Sequence, residues 1–161
     1  MPSDAYLLIT GVNGETQAEG MKNNIELESW SWGAHNVASV GNKGLSSGKP
    51  VLADFTCSFQ LEAASFQIVS SLVKGTHIAN ATFTGRKTGG GGTPYNYLVI
   101  TMTNCFIASF NTGGGSAGIP SASLSLAYEE IKYQYYTQDS AKGSVTLAGQ
   151  ATYNIGQVKA S

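Results

Sequence analysis

The sequence predicts a mainly β chain, a small antiparallel β-barrel or sandwich carrying one short α-helix. Three observations predict it. Apolar and polar residues alternate with period two along at least six segments. Gly-rich stretches, drawn from 20 glycines, punctuate those segments as turns. A single segment breaks the alternation and shows helical spacing instead.

The elements follow in chain order. "DAYLLITGV" and "NIELESWSWG" read as strands. Residues 34–49, "AHNVASVGNKGLSSGK", have no clear periodicity and read as a long polar loop, of the kind that is usually functional or mobile. In "VLADFTCSFQL", Val51, Ala53, Phe55, Cys57, Phe59 and Leu61 share a face. The exception is "AASFQIVSSLVKG", where Phe66, Ile68, Val69, Leu72 and Val73 recur at helical spacing. Ser65 is its candidate N-cap and Lys74-Gly75 its stop, which predicts a helix over residues 64–74. "HIANATFTGRK" is the next strand. In "YLVITMTNCFIASF", Leu98, Ile100, Met102, Phe106, Ala108 and Phe110 fall on one side, with Asn104 the polar exception. In "GSVTLAGQATYNI", Val145, Leu147, Gly149, Ala151, Tyr153 and Ile155 share a face. The glycine runs at 89–92 and 113–115 read as loops, and no linker or internal repeat divides residues 1–161.

Two strands change phase. Ile25 and Leu27 face one way, then Trp30 and Trp32 the other. Leu124, Leu126 and Tyr128 face one way, then Ile131, Tyr133 and Tyr135 the other. Either a β-bulge re-aims each strand, or each is covered on one face by its own core and on the other by a neighbouring subunit.

Composition narrows the function classes. Charged residues are only 12% of the chain, against roughly 25% in ordinary soluble domains, and such a surface repels copies of itself weakly. Net charge is −1 with the 9 basic residues scattered, so no stripe exists to neutralise phosphates, and nucleic acid is excluded as a partner. The N-terminal "MPSDAYLLITGV" has no basic n-region and too short an apolar run for a signal peptide or a membrane span. Cys57 and Cys105 lack metal-type spacing; they are buried free thiols, or else partners in a disulfide.

Catalytic motifs fail on context. Gly114-Gly115-Ser116-Ala117-Gly118 matches the nucleophile elbow, but a strand follows it, and His35 and His77 both lie upstream. Gly48-Lys49 lacks the first glycine and the Ser/Thr of a phosphate loop, those places being Lys43 and Pro50. Two histidines and two distant cysteines make no ligand set. Glu129 and Glu130 point to opposite faces of their strand, a poor acid/base couple. The expectation is no enzyme, no cofactor and no metal.

The order of elements carries a resemblance. Trp30-Ser31-Trp32-Gly33, Arg86-Lys87, the Tyr97-to-Thr101 strand with Thr112-Gly113-Gly114, and "EIKYQYYTQD" succeed one another over nearly the whole chain. This pattern resembles the Hcp family, the tube protein of bacterial type VI secretion systems. The resemblance implies a small β-barrel with one helix, similar to the tail-tube proteins of contractile phages. It also implies a homohexameric ring, and rings stacked head to tail inside a contractile sheath and capped by a spike. Sheath and spike proteins and small effectors held in the channel are the implied partners. The implied route runs from the bacterial cytoplasm to the exterior without a cleaved signal peptide.

Candidate sites follow from joining the two readings. Trp30, Trp32, Tyr133 and Tyr135 carry large contact area and are candidates for the subunit interface, with an ordinary barrel core as the competing assignment. Ser31 points opposite to the tryptophans and is the candidate for lumen and cargo contact. Val40, Asn42, Lys43, Leu45 and Lys49, on the 34–49 loop, are the candidates for ring stacking. Two other readings compete: a secreted effector of the same system, and a monomeric β-barrel that binds a small ligand.

Overall fold

Every alternating segment forms strand. The structure is a computed structural model that describes residues 3–89, 92–139 and 141–161; Met1, Pro2 and the middle of the 89–92 glycine run lie outside the described residues. The strands are β1 (Ser3–Ile9), β2 (Ile25–Glu26), β3 (Ser29–Ser31), β4 (Ala34–Gly41), β5 (Gly44–Leu52) and β6 (Phe55–Gln60). After helix α1 (Ala64–Lys74) come β7 (Ile78–Thr88), β8 (Pro94–Gly113), β9 (Ser121–Gln138), β10 (Val145–Asn154) and β11 (Lys159–Ala160). One antiparallel sheet runs β11-β10-β9-β8-β7-β1-β2, with β6 paired to β9 and β3 to β6. The β4–β5 pair forms a second sheet of its own.

The long sheet curls round one core but does not close as a continuous ladder. β2 pairs with β1 at one margin and β3 with β6 at the other. Between them the Leu27 N–H donates to the Ala5 carbonyl at 2.8 Å and the Glu28 N–H to the Ser58 carbonyl at 2.8 Å. The chain thus steps across the gap at Leu27-Glu28, and this step produces the first phase change. Ile25 and Leu27 before it and Trp30 and Trp32 after it pack on the same core.

The second phase change has a different cause. Met102↔Ile131 and Cys105↔Tyr128 keep one register, and all four side chains are buried. The pairs are three positions apart on each strand, an odd step, so both strands reverse face between them. Asn104 sits in that interval at φ 52°, the left-handed region, opposite Glu129, which accepts a bond from its Nδ2. Neither reversal is the register-shifting β-bulge of the first sequence reading: one is a change of strand partner at Leu27-Glu28, the other a left-handed Asn104 within an unbroken register.

That reversal also corrects the β8 face. Cys105 and Ile107 are buried, whereas Phe106 is 45% exposed beside His77. The register slips between Ile107 and Ser109, leaving Ala108 exposed as the extra residue and returning Phe110 to the core side. A slip between Leu147 and Gly149 divides β10 likewise. Leu147 pairs with Tyr136, but Gly149, Ala151 and Tyr153 pair with Tyr135, Tyr133 and Ile131. Val145 and Leu147 therefore lie on the opposite face from Tyr153 and do not share it as the alternation predicts. Val51 and Leu61, expected with Phe55, Cys57 and Phe59, are exposed beyond the ends of β6.

The helix lies where its spacing predicts. Ser65 does not cap it: the N-cap is Ala63, whose N–H donates to Glu15 Oε1 at 3.1 Å. Gly75 ends it at φ 63°, with bonds from Gly75 N–H to Leu72 O and Thr76 N–H to Ser71 O that tie off the last carbonyls. Ala64, Ile68 and Leu72 face the core, while Phe66, Val69 and Val73 are exposed. Helical spacing groups Ile68 and Leu72 with Phe66, Val69 and Val73, and the structure separates them.

Within the return from β1 to β2, residues 19–21 lie beside the outer face of the sheet. Tyr6 and Thr84 sit on the face opposite Leu7 and Phe83, yet both are buried there. Arg86 Nη1, on that same face, donates to the Glu19 carbonyl at 3.1 Å, and Met21 is buried. Part of the second apolar face is thus covered by the chain itself.

Candidate assembly surfaces

The four aromatic candidates line one flank of the core and differ in burial. Trp30 lies 4.4 Å from the Phe83 ring and stacks near Phe55, so its strand register aims it inward. Trp32 lies 5.9 Å from Tyr133. Its Nε1–H donates to the Tyr128 hydroxyl at 2.6 Å, which donates onward to the Ala53 carbonyl at 2.6 Å. Both indoles and Tyr133 are half-buried against the core. Tyr135 is 39% exposed and meets Tyr97 edge to face, with Lys87 Nζ 4.3 Å above the Tyr97 ring.

Ser31 faces away from that core, and it has company. Its hydroxyl bonds Thr56 Oγ1 at 2.6 Å across the ladder. Ser29 pairs with Ser58 in the same way, and Ser109 with Ser125. The rungs run Ser31–Thr56–Ser125–Ser109 and Ser29–Ser58–Ser123–Asn111 over β3, β6, β9 and β8. The result is an uncharged band of hydroxyl and amide groups four strands wide. Only Ser31 was singled out from sequence. Thr56 and Ser58 are legible as the polar half of "FTCSF", and Ser123 and Ser125 as that of "ASLSL"; Ser29, Ser109 and Asn111 join them only through the register.

Residues 34–49 are a β-hairpin, not an irregular loop. Gly41 pairs with Gly44 around an Asn42-Lys43 turn, and Gly44 takes φ 100°, which a Cβ would strain. Every residue from 34 to 49 is exposed, including Val37, Val40 and Leu45 at 63%, 82% and 76%. Alternation failed as a signal here because no face of this ribbon is buried within the chain. Val40, Asn42, Lys43 and Leu45 cluster at its tip and Lys49 lies lower on β5.

A groove of about 440 Å³ lies at the opposite end of the β3–β6 ladder. Glu15, Glu26, Glu28 and Glu62 line it together with Thr16, Leu27, Gln60, Leu61 and Ile119. Burial pushes the Glu62 carboxyl above its ordinary range; the bond from the Glu15 N–H opposes this, and the charges of Glu15 and Glu26 add to it. Sequence reasoning missed this groove because its carboxylates come from three separate segments.

Cys57 and Cys105 are both free and buried, which settles the disulfide alternative. Burial pushes their thiols up to about 12 and about 11; in Cys105 a backbone hydrogen bond at Ala81 works the other way. The Ser116 loop joins two strands of a hairpin, β8 and β9, with no helix after it. Among the described residues, no helix is long and apolar enough to cross a membrane.

These features define a class: a mainly β protein whose curled sheet carries one helix, a detached hairpin and an uncharged hydroxyl band. The family described as "Type VI secretion system effector, Hcp" matches residues 6–135. The chain belongs to the Hcp family of type VI secretion proteins. Protein hcp1 of Pseudomonas aeruginosa is 27% identical over 146 residues, spanning 88% of this chain and 90% of that one. Among solved structures, a type six secretion system protein superposes with a TM-score of 0.91 at 22% identity, covering 99% of this chain and 100% of the other. Hcp1 from Salmonella typhimurium superposes at 0.80 with 24% identity, each chain fully covered. At those identities the two likenesses speak to the fold.

Proposed function

We propose that residues 1–161 act as one domain, the tube subunit of a type VI secretion system. Copies close into a hexameric ring, and rings stack head to tail within a contractile sheath beneath a spike. Contraction carries the tube from the bacterial cytoplasm to the exterior without cleavage of a signal peptide, with small effector proteins in the lumen. The role is structural and transporting, not enzymatic.

The observation that carries this reading is the apolar sheet surface left over after the core and residues 10–24 are packed. On β10, Val145 and Leu147 are 45% and 41% exposed, and Leu8 on β1 is 41% exposed. One heterologous contact between such surfaces on identical chains must close a ring or run on as a filament. Low charge removes most of the repulsion between copies. Within that assembly Trp30, Trp32, Tyr133 and Tyr135 support the subunit boundary from the core side. Ser31, with its hydroxyl neighbours, faces the lumen, and the hairpin bearing Val40, Asn42, Lys43, Leu45 and Lys49 stacks one ring on the next.

Light scattering and electron microscopy of the purified chain test the reading. Rings with an open centre, several-fold heavier than the 16.8 kDa chain, are expected. A species that stays at 16.8 kDa at high concentration overturns it. Replacing residues 35–51 by a short turn should spare rings and abolish tubes, whereas Ser31→Trp should spare both and reduce cargo retention.

A further inference from the structure

We infer that the acidic groove formed by Glu15, Glu26, Glu28 and Glu62 is the receptor for the β4–β5 hairpin of a second copy of this chain. The inference rests on the stacking reading above and names the surface that the hairpin would meet.

Three observations support it. The first is position. β3 and β6 form one short ladder whose rungs are Ser29↔Ser58, Trp30↔Cys57 and Ser31↔Thr56. The hairpin leaves from the Ser31/Thr56 end, where the Ala53 N–H donates to the Gly33 carbonyl at 2.9 Å. The groove opens at the other end, lined by Glu28 just before β3 and by Gln60, Leu61 and Glu62 at the end of β6. Donor and receptor therefore lie at opposite poles of one element. A simple translation along that ladder presents the hairpin of one copy to the groove of the next, and the contact repeats without limit.

The second observation is charge. The hairpin, residues 34–52, carries Lys43 and Lys49 and no acidic residue. The groove lining has four glutamates and no lysine or arginine. Those four are a large share of the chain's 10 acidic residues. Glu62 is penalised by burial and by the charges of Glu15 and Glu26, a penalty that an incoming ammonium would offset.

The third is apolar fit and reach. Val40 and Leu45 face solvent beside Lys43, and Leu27, Leu61 and Ile119 lie among the glutamates. A lysine stem can lie along such a lining while its head reaches a carboxylate. Strand β5 has nine residues, so the ribbon spans roughly 30 Å at about 3.3 Å per residue, enough to bridge to a neighbour.

The test uses the full chain. Lys43→Glu with Lys49→Glu should leave rings intact by light scattering and lower the pelleted tube fraction about tenfold or more at equal concentration. Glu26→Lys with Glu28→Lys should do the same. Combining all four changes should restore tubes, because opposite charges face each other again. Zero-length carbodiimide coupling of assembled wild-type protein, made from a mixture of isotope-labelled and unlabelled chains, should join Lys43 or Lys49 of one copy to a groove glutamate of another. Raising salt should weaken stacking before it weakens rings. If the shortened-hairpin chain loses tubes but the quadruple variant rescues nothing and no such coupled peptide forms, the groove is the wrong receptor while the stacking reading stands. If the shortened-hairpin chain still forms tubes, the stacking reading itself fails.

Discussion

The Trp32 indole N–H donates to the Tyr128 hydroxyl at 2.6 Å, and through that hydroxyl the link between β3 and β4 is tied to Ala53 at the foot of the hairpin. Residues 32, 53 and 128 are otherwise distant in sequence, so the relay fixes where the hairpin leaves the sheet. Burial pushes the Tyr128 hydroxyl above its ordinary range, with donation from Trp32 opposing it, so the proton that reaches Ala53 is retained. Tyr128→Phe removes both bonds, the one from the half-buried Trp32 indole and the one to the Ala53 carbonyl. It should cost about 1–3 kcal/mol, read as a lowered denaturation midpoint and a shift in tryptophan emission. An unchanged midpoint would show that the relay is incidental.

The reversal at Asn104 gives a second expectation. Asn tolerates the left-handed region better than most residues, and Gly adopts it freely. Asn104→Gly should stay within about 0.5 kcal/mol of the parent, whereas Asn104→Val should lose about 1–3 kcal/mol in chemical denaturation. Equal losses in the two variants, both of which lack the Nδ2 donor, would mean that the Glu129 contact, not the backbone, holds the kink.

How much of this was readable beforehand varies with what buries each residue. Phe55, Cys57 and Phe59 alternate against one core, and their face was legible. Alternation puts Phe106 inward, because nothing in "TNCFIASF" announces that Asn104 turns left-handed. The slip before Gly149 is equally silent in the sequence, and it moves Val145 off the face of Tyr153. The 34–49 ribbon has no buried face and so no pattern to read. The hydroxyl band and the acidic groove arise from register across strands, which a single sequence does not print. The resemblance to Hcp proteins rests on element order, which bulges leave intact.

The cysteines predict a pH response. Thiol reagents attack the thiolate, and both thiols are pushed far above the range of a free cysteine. Native protein at pH 8 should resist labelling at Cys57 and Cys105, and denatured protein should label at both. For Cys57 the folded value is raised from 9.0 to about 12, so its neutral form favours the native state below pH 9, and this contribution is lost as pH rises toward about 12. Stability measured from pH 8 to 11 should therefore fall, and rapid labelling of native protein at pH 8 would contradict the burial.

The helix separates packing from surface. Ile68 is fully buried beneath it, whereas Phe66 and Val73, on the same helix, are 69% and 71% exposed. Removing buried methylenes leaves a cavity, so Ile68→Ala should destabilise the chain by about 2–5 kcal/mol. Phe66→Gln and Val73→Gln remove apolar area that the single chain never hides, and each should change the denaturation midpoint by no more than about 0.5 kcal/mol equivalent. Measured on dissociated chains, that contrast tests the orientation of the helix. Measured again on the assembled protein, a large effect of Phe66→Gln or Val73→Gln would mean that this stripe is covered by another copy, since the isolated fold gives it nothing to lose.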